Sequence, residues 1–515
     1  MAEMNHTLFW ERLKGVPGNF WASVFRHGKP DSDRTRSQAV FANFFLHVHS
    51  TRVHPHSLRA TYSWGLGVSL VAQFLILTAT GILLMVYYNP SIDLAYNTIK
   101  DIHYVVPTGR FIRNIHRWAA HLMVLTVILH MARVFYTASY KPPREFNWVL
   151  GMVLFILTLA LSFSGYLLPW DQLAYWAVTI ATNIAASPDE LVHALGLPSA
   201  FGVGWLIKEL MIGARTVGQE ALTRFYLLHV MVLPLAMAAC MGAHIWRIHK
   251  DGGLSRPGGF HTPAGKGVET ANNQPVNPEH APTKTYGLMG IVRGRSPYTG
   301  ALPEETVPAW PYLLRAELLV FMINMLVLVA LAYYFDAPLK EQANPAVPEN
   351  PAKAPWYFLG LQEMVSYSAF VGGMLVPTLA LVGLILIPFI DRETEESGVW
   401  FSGKKGKQIA LYSLLFGGIT AVAAVAFPVQ FGWLRNWFPS IPQIVIILIN
   451  PGSLLTAAYA AWSLAVMQQT RSTRMGAIAL FTCFLIGFAI LTYVGTELRG
   501  PNWEFYWSAS QWPVH

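Results

Sequence analysis

The sequence predicts an all-α fold, a polytopic transmembrane helical bundle of about nine spans. Three observations lead there. The chain of 515 residues is 53% apolar and only 12% charged, about half the charge of an ordinary soluble domain. Apolar runs recur along it that reach the roughly 20 residues a bilayer-crossing helix needs. Basic residues gather in alternate connections between those runs, as the positive-inside rule requires. The net charge of +8 therefore reads as topology and contact with anionic lipid, and not as a surface for nucleic acid.

Residues 1–62 are polar and rich in Arg, Lys and His, and read as an inward-facing region with an interfacial helix. They lack the short apolar core of a cleavable signal peptide. Nine spans are then expected, A to I, at 64–88, 112–136, 147–168, 222–246, 312–335, 370–390, 408–427, 441–467 and 475–496. Pro451-Gly452 interrupts span H. With nine spans, one side collects Arg12, Arg26, Lys29, Arg52 and Arg59 before A, and Lys141 and Arg144 after B. The same side takes Arg247 and Lys250 after D, Lys404, Lys405 and Lys407 before G, and Arg471 and Arg474 before I. That places the N-terminus inside and the C-terminus outside, in a bacterial inner membrane by expectation. The connections 169–221 and 336–369 then lie on the outer side, and long loops of this kind often carry function.

The chain divides into a four-span part over 63–250, a polar Gly/Pro-rich linker over 251–310, a part over 311–400, and further spans with an aromatic tail over 401–515. The tail, Arg499 to Trp507, reads first as an interfacial aromatic belt and second as a docking strip for a partner. His47, His49, His54 and His56 sit just before span A, as interfacial polar residues or as part of a proton-uptake route. Cys240 and Cys483 both lie inside apolar runs, with no CxxC and no zinc spacing. An iron–sulfur cluster or c-type haem serving this chain would sit on another one.

Four histidines carry the chemistry. Span B holds His116 and His130, fourteen residues apart, and span D holds His229 and His244, fifteen apart. On regular α-helices these spacings rotate by roughly −40° and +60°, so each pair lies near one helix face at an axial separation of about 21–22 Å. B and D run in the same direction, with one span between them. His116 then meets His229, and His130 meets His244, at matched depths. A lone intramembrane His is usually a satisfied polar residue or part of a proton path. Four at matched depth predict two bis-histidine haem sites stacked across the bilayer, the metal ligands being His116 with His229 and His130 with His244.

Glycines repeat the interval. Gly67 and Gly81 on span A, and Gly151 and Gly165 on span C, are each fourteen apart. They suit the side-chain-free patches a flat macrocycle needs, or else ordinary close helix packing. Arg113, Arg133 and Arg224 near the span ends read either as partners of haem carboxylates or as interfacial anchors.

Ile115-His116-Arg117-Trp118, Leu129-His130-Met131-Ala132-Arg133, Gly165-Tyr166-Leu167-Leu168-Pro169-Trp170-Asp171-Gln172 and Leu222-Thr223-Arg224 through His229 resemble cytochrome b of the cytochrome bc and b6f complexes. The first half resembles the b6 branch. Residues 305–395, with Pro311-Tyr312 and Trp356-Tyr357-Phe358, resemble its companion subunit IV, here fused on. The resemblance implies a quinol oxidoreductase subunit that passes electrons across the membrane through two non-covalent b-type haems and contributes to proton translocation. It implies a lower-potential outer haem on His116 and His229, and a higher-potential inner haem on His130 and His244. Arg113, Arg133 and Arg224 match positions near the haem carboxylates, and His249 matches a position at an inner quinone site. The implied partners are a Rieske-type iron–sulfur protein, a c-type cytochrome subunit, quinone, lipid and a second copy of the complex.

Two departures stand out. The plastid-type branch tethers an extra haem through a cysteine near the start of span A, where this chain has Gly65, so no covalent haem is expected. The outer quinol motif Pro-Glu-Trp-Tyr reads Ala354-Pro355-Trp356-Tyr357 here, without the proton-accepting carboxylate. Alongside Trp356 and Tyr357, Glu363 is the first candidate substitute and Asp171 the second, each weighed against an ordinary loop carboxylate. Two other readings stay open: the cytochrome b anchor of a dehydrogenase, hydrogenase or nitrate reductase, and a transporter or scaffold without haem.

Overall fold

The computed structural model describes residues 14–18, 21–22, 30–43, 46–257, 306–393 and 397–513. Most of the linker expected at 251–310, and Arg12, Arg26 and Lys29, lie outside the described residues. The described chain is helical, with one small antiparallel pairing that sets Arg52 against Pro308 and Val53 against Val307.

In chain order the helices that matter are α1 (Asp33–Ala42), α2 (Leu66–Met85), α3 (Ala95–Tyr104), α4 (Gly109–Tyr136), α5 (Glu145–Leu167), α6 (Gln172–Ala185), α7 (Gly204–Ile212) and α8 (Gln219–Lys250). They continue with α9 (Ala309–Tyr334), α10 (Trp356–Tyr367), α11 (Val371–Ile390), α12 (Lys404–Phe431), α13 (Pro451–Thr470) and α14 (Thr473–Leu498). Eight described helices, α2, α4, α5, α8, α9, α11, α12 and α14, are long and apolar enough to cross a bilayer. Their outer faces expose Leu, Ile, Val and Phe, such as Leu318, Leu319, Met322 and Leu326 on α9, which suits a solvent of lipid tails.

The expected span H differs. Residues 441–467 do not form one helix. A short helix Gln443–Leu448 ends, and α13 starts at Pro451, capped by the Asn450 side chain accepting from Ser453 N–H. Proline at the first helical position and an Asn cap are start signals, so the Asn-Pro-Gly triplet opens a helix and does not interrupt one. α13 is 20 residues long, enough for about 30 Å, and packs against α12 and α14.

α2 packs along α4, and α5 along α8, forming the four-helix part. α9 lies against α4 and α2, while α12, α13 and α14 form a second group that carries α10. The two groups share a core. Phe135 of α4 stacks on Phe481 of α14 with ring centroids 4.1 Å apart, among Met131, Trp148, Met152 and Ile478.

The expected basic loops meet at one end of the bundle. The Trp400 indole donates to Thr61 O, and Gly398 N–H to Thr137 O. Arg144 donates to Gly253 O, and Ser472 to the Glu393 carboxylate. The connections 169–221 and 336–369 gather at the opposite end, where Lys340 N–H donates to Asp171 and Gln172 N–H to Glu341 O.

Candidate functional site

The histidine pairs come together across α4 and α8. The His116 and His229 rings face each other with centroids 6.3 Å apart. Two imidazoles on opposite sides of one metal ion would stand roughly 6 Å apart, twice the sum of a bond of about 2 Å and the ring radius. The unequal spacing on the two helices also resolves. His229 sits in a π turn, Leu228–Val232, just before Pro234. Proline has no N–H to give and its ring crowds the carbonyl four residues back, and a π turn absorbs one extra residue. Fifteen residues on α8 therefore cover the rise of fourteen on α4, and the +60° swing expected on a regular helix does not arise.

Hydrogen bonds fix the ring tautomers of this pair. Thr80 gives its hydroxyl proton to Ile76 O (2.7 Å) and lies 2.9 Å from His116 Nδ1, so the ring is the donor there. His229 Nδ1 donates to Leu161 O at 3.1 Å. With the proton on Nδ1, each Nε2 keeps its lone pair for a metal.

The second pair lines a cavity of about 1490 Å³, together with Gly67, Gly151 and Arg133. His130 Nδ1 is buried without a partner. Each glycine faces one histidine. A Cβ added at Gly81 would lie 3.3 Å from the His116 ring, and at Gly165 2.5 Å from that of His229. At Gly67 and Gly151 it would lie 3.6 Å from the rings of His130 and His244. Among the described residues no three His, Cys, Asp or Glu side chains converge as a metal cage. Two imidazoles per level suit a metal that brings its other ligands with it, as haem iron does.

The three arginines are placed differently. Arg133 is buried, lies over the Tyr62 ring at 5.5 Å, keeps Nε unpartnered and lines the cavity. Arg113 is buried and donates to Ala337 O (2.8 Å) and Pro338 O (2.7 Å), holding the loop after α9. Arg224 is exposed and donates to Leu210 O at the end of α7. His249 lines the large cavity, as does His49, whose Nε2 lies 2.8 Å from Glu317. That carboxylate holds the His49 pKa above its ordinary value.

At the opposite end, the Trp356 indole donates to His121 Nδ1 (3.0 Å), and the Tyr357 ring lies 5.9 Å from the same imidazole. His121 was not singled out from the sequence. Its only signal there is that of a further polar residue inside an apolar span. Trp356 can only donate, so neutral His121 carries its proton on Nε2.

Asp171 caps α6 by accepting from Ala174 N–H (2.9 Å), and also accepts from Lys340 N–H (2.9 Å). Burial pushes its pKa up, against those bonds. Glu363 is 0% exposed. It accepts from Arg499 Nε (2.9 Å), Arg499 Nη2, Trp503 Nε1 (2.9 Å) and Tyr367 O–H (2.8 Å). The aromatic tail is thus folded onto α10 instead of forming a free belt, although Trp507 stays exposed.

The family model described as Cytochrome b/b6/petB matches residues 51–252. Cytochrome b6 of Heliobacterium mobile is 44% identical over 202 residues, 39% of this chain and 88% of that protein. Cytochrome b6 of Prochlorococcus marinus strain MIT 9515 is 42% identical over 206 residues, 40% of this chain and 87% of that protein. The Euglena gracilis cytochrome b6 is 43% identical over 206 residues, covering 40% and 88%.

This chain belongs to the cytochrome b/b6 family. A solved structure titled "Hyperthermophilic respiratory Complex III" matches at a TM-score of 0.57 and 24% identity, over 80% of this chain and 91% of that one. It extends the likeness of fold well beyond the matched b6 segment. With eight apolar helices of spanning length among the described residues, this cytochrome b is an integral membrane protein. The b6 match contains all four histidines, the four glycines facing them, the three arginines, Asp171 and His249. Trp356, Tyr357, Glu363 and the tail lie outside it.

The sequence also missed a buried knot at the basic end of this cytochrome b. Arg474, 1% exposed, donates to Tyr140 O–H (2.9 Å), Phe135 O (2.8 Å) and Ser402 (2.9 Å). Tyr140 donates to Asp391, which pairs with Lys141 at 3.2 Å. Arg474 and Asp391 stand 334 and 251 residues from Tyr140, and only the packing of the later helices against the connection between α4 and α5 brings them together.

Proposed function

We propose that this chain is the di-haem cytochrome b of a quinol-oxidising complex, carrying one of the two electrons of each quinol across the membrane. The observation that carries the reading is the facing of His116 and His229, with a second histidine pair one π-corrected interval deeper and a glycine against every ring. His116 and His229 would hold one b-type haem, and His130 and His244 the other, without a covalent link. Bound there, the haems supply one-electron carriage through a layer in which a free charge is expensive.

The chain's own residues do the rest. Thr80 and Leu161 O fix the outer imidazoles with Nε2 inward. The four glycines leave room for flat rings. Arg133, with its unpartnered Nε, would pair with a haem carboxylate at the basic end, while Arg113 and Arg224, bonded to Ala337 O, Pro338 O and Leu210 O, brace the loops at the other end. Trp356 and Tyr357 wall a quinol pocket between the connections 169–221 and 336–369, with His121 behind them. Asp171, its pKa raised by burial, takes a quinol proton there, and Glu363 positions α10. His249, with the His49–Glu317 pair, serves quinone reduction and proton uptake in the large cavity.

The basic end faces inside, in a bacterial inner membrane, with the N-terminus inside. The partners are a Rieske-type iron–sulfur protein, which takes the other electron, and a c-type cytochrome, in a dimeric complex. The portion 311–400 plays the part of subunit IV.

The test is a pyridine haemochrome assay on the purified complex, followed by reduction with a short-chain quinol. Two b haems per chain, reduced only when a Rieske-type subunit is present, are expected. One haem or none overturns the di-haem reading. Reduction through a dehydrogenase subunit without a Rieske partner overturns the quinol-oxidising one.

A further inference from the structure

We infer that the C-terminal tail is a strap that sets the position of α10, with Arg499 acting as a positioning residue through Glu363. The inference rests on the proposed quinol pocket at Trp356 and Tyr357.

Trp356 and Glu363 are seven residues apart on α10, close to two full turns, so both project from one face. That face is held at both ends. Trp356 donates to His121 on the helix that carries His116 and His130. Glu363 receives the Arg499 fork through Nε and Nη2, together with Trp503 Nε1. Arg499 Nη1 then donates to Trp503 O (3.0 Å), closing the tail on itself.

The tail region also grips the approach to Trp356. Asn350 and Asn502 bond to each other through Asn350 Nδ2 (2.9 Å) and Asn502 N–H (2.6 Å), and Lys353 Nζ donates to Thr496 O (2.6 Å). Two glycines allow the close approach. A Cβ at Gly360 would meet Thr492 Oγ1 at 2.9 Å, and one at Gly495 would meet Leu359 O at 3.0 Å.

Adhesion alone does not call for a buried ion pair. Apolar packing of the same volume is often as stabilising, because two charges must first be taken out of water. A guanidinium fork on a carboxylate adds direction, since both N–H bonds are satisfied in one orientation only. The strap therefore fixes where the Trp356 and Tyr357 rings stand relative to α4. A misplacement of about 1 Å at a reacting group can cost a hundredfold in rate.

The test uses the intact complex with Arg499→Ala, Arg499→Lys and Glu363→Gln, and reads three quantities. Haem content and the ferrous absorption bands report folding. Steady-state kinetics with a short-chain quinol report KM and kcat. Reduction of the haems from the inner quinone side reports the other end of the chain.

The expected result for Arg499→Ala is unchanged haem content and unchanged inner-side reduction. Its kcat/KM for quinol falls by about tenfold to a hundredfold. Arg499→Lys, which keeps the charge and loses the fork, recovers only part. Wild-type kinetics in Arg499→Ala overturn the strap, as does a loss of haem in parallel with activity. Failure of the wild-type complex to oxidise quinol overturns the functional reading instead.

Discussion

The two regions of this cytochrome b bury their polar groups by opposite means. In the four-helix part, the polar groups deep in the spans are neutral: imidazoles, hydroxyls and the Gln73 amide. They bond to helix backbone and to one another, as Thr80 does to Ile76 O and to His116, and His229 to Leu161 O. In the later part, buried carboxylates are paired at helix ends: Glu363 with Arg499, and Asp391 with Lys141 and Tyr140 of the four-helix part. The difference follows from what each region holds. A neutral imidazole with a free lone pair suits a metal, whereas a paired charge suits a direction. Repetition on one helix builds the first kind of site, and contact between distant segments builds the second.

The largest expected effect breaks the first region. On the proposed di-haem reading, His229→Ala removes one ligand of the outer pair and leaves the inner pair intact, so haem per chain should fall from two to one, with quinol-driven reduction of the remaining haem lost. Haemochrome stoichiometry checks this, and retention of two haems would show that His229 is not a ligand. Gly165→Val should act in the same direction, because its Cβ would press on the His229 ring.

Next comes the proton at the proposed quinol pocket. Burial raises the Asp171 pKa, and a carboxyl must be ionised to accept a proton. The rate should therefore climb as pH rises through that raised value. Asp171→Asn should flatten this limb and lower kcat by about a hundredfold or more. The same raised pKa has a stability consequence of fixed sign. The folded state holds its proton more tightly than the unfolded chain does, so the Asp171 contribution is most favourable at low pH and is lost as pH rises through the folded value. An unchanged pH profile in Asp171→Asn would remove it from the proton route.

How much of this was legible follows from the same contrast. The histidines and glycines could be read because they repeat along single helices, and a repeat is visible in one dimension. The spacing of fifteen misleads only in its angle, since Pro234 signals a disturbance without saying that the helix widens to a π turn. Apolarity alone runs 441–467 together, whereas Asn450 before Pro451 is the local signal of a new helix start. Glu363 and Arg499 stand 136 residues apart, and no period links them. The carboxylate was found as a candidate, but its partner lay in a tail read as a belt. Arg474 reads in the sequence as a loop charge that sets topology, although its side chain points back into the core.

Arg474→Ala sharpens the second half of the contrast. It takes a donor from the Tyr140 and Ser402 hydroxyls and from the Phe135 and Tyr136 carbonyls, a loss of about 1–3 kcal/mol for buried groups left unsatisfied. Thermal unfolding of the detergent-solubilised complex should show it, with haem bands lost only at the transition. A change under ~1 kcal/mol, the range of an exposed pair, would mean that water replaces Arg474 and that the knot is not dry.

The smallest effect tests the seam between the regions. Gly65 opens α2 at φ +61°, and a Cβ there would lie 2.6 Å from Val320 Cγ2 of α9. Gly65→Ala should therefore carry two costs, about 1–2 kcal/mol for the left-handed backbone and a steric one set by Val320. Val320→Ala relieves only the second. If α9 is seated firmly on α2, the double variant should be more stable than the sum of the singles predicts, by about 0.5 kcal/mol or more. Strict additivity would mean that α9 moves away freely, and that the two regions meet through the Phe135–Phe481 core and not through this contact.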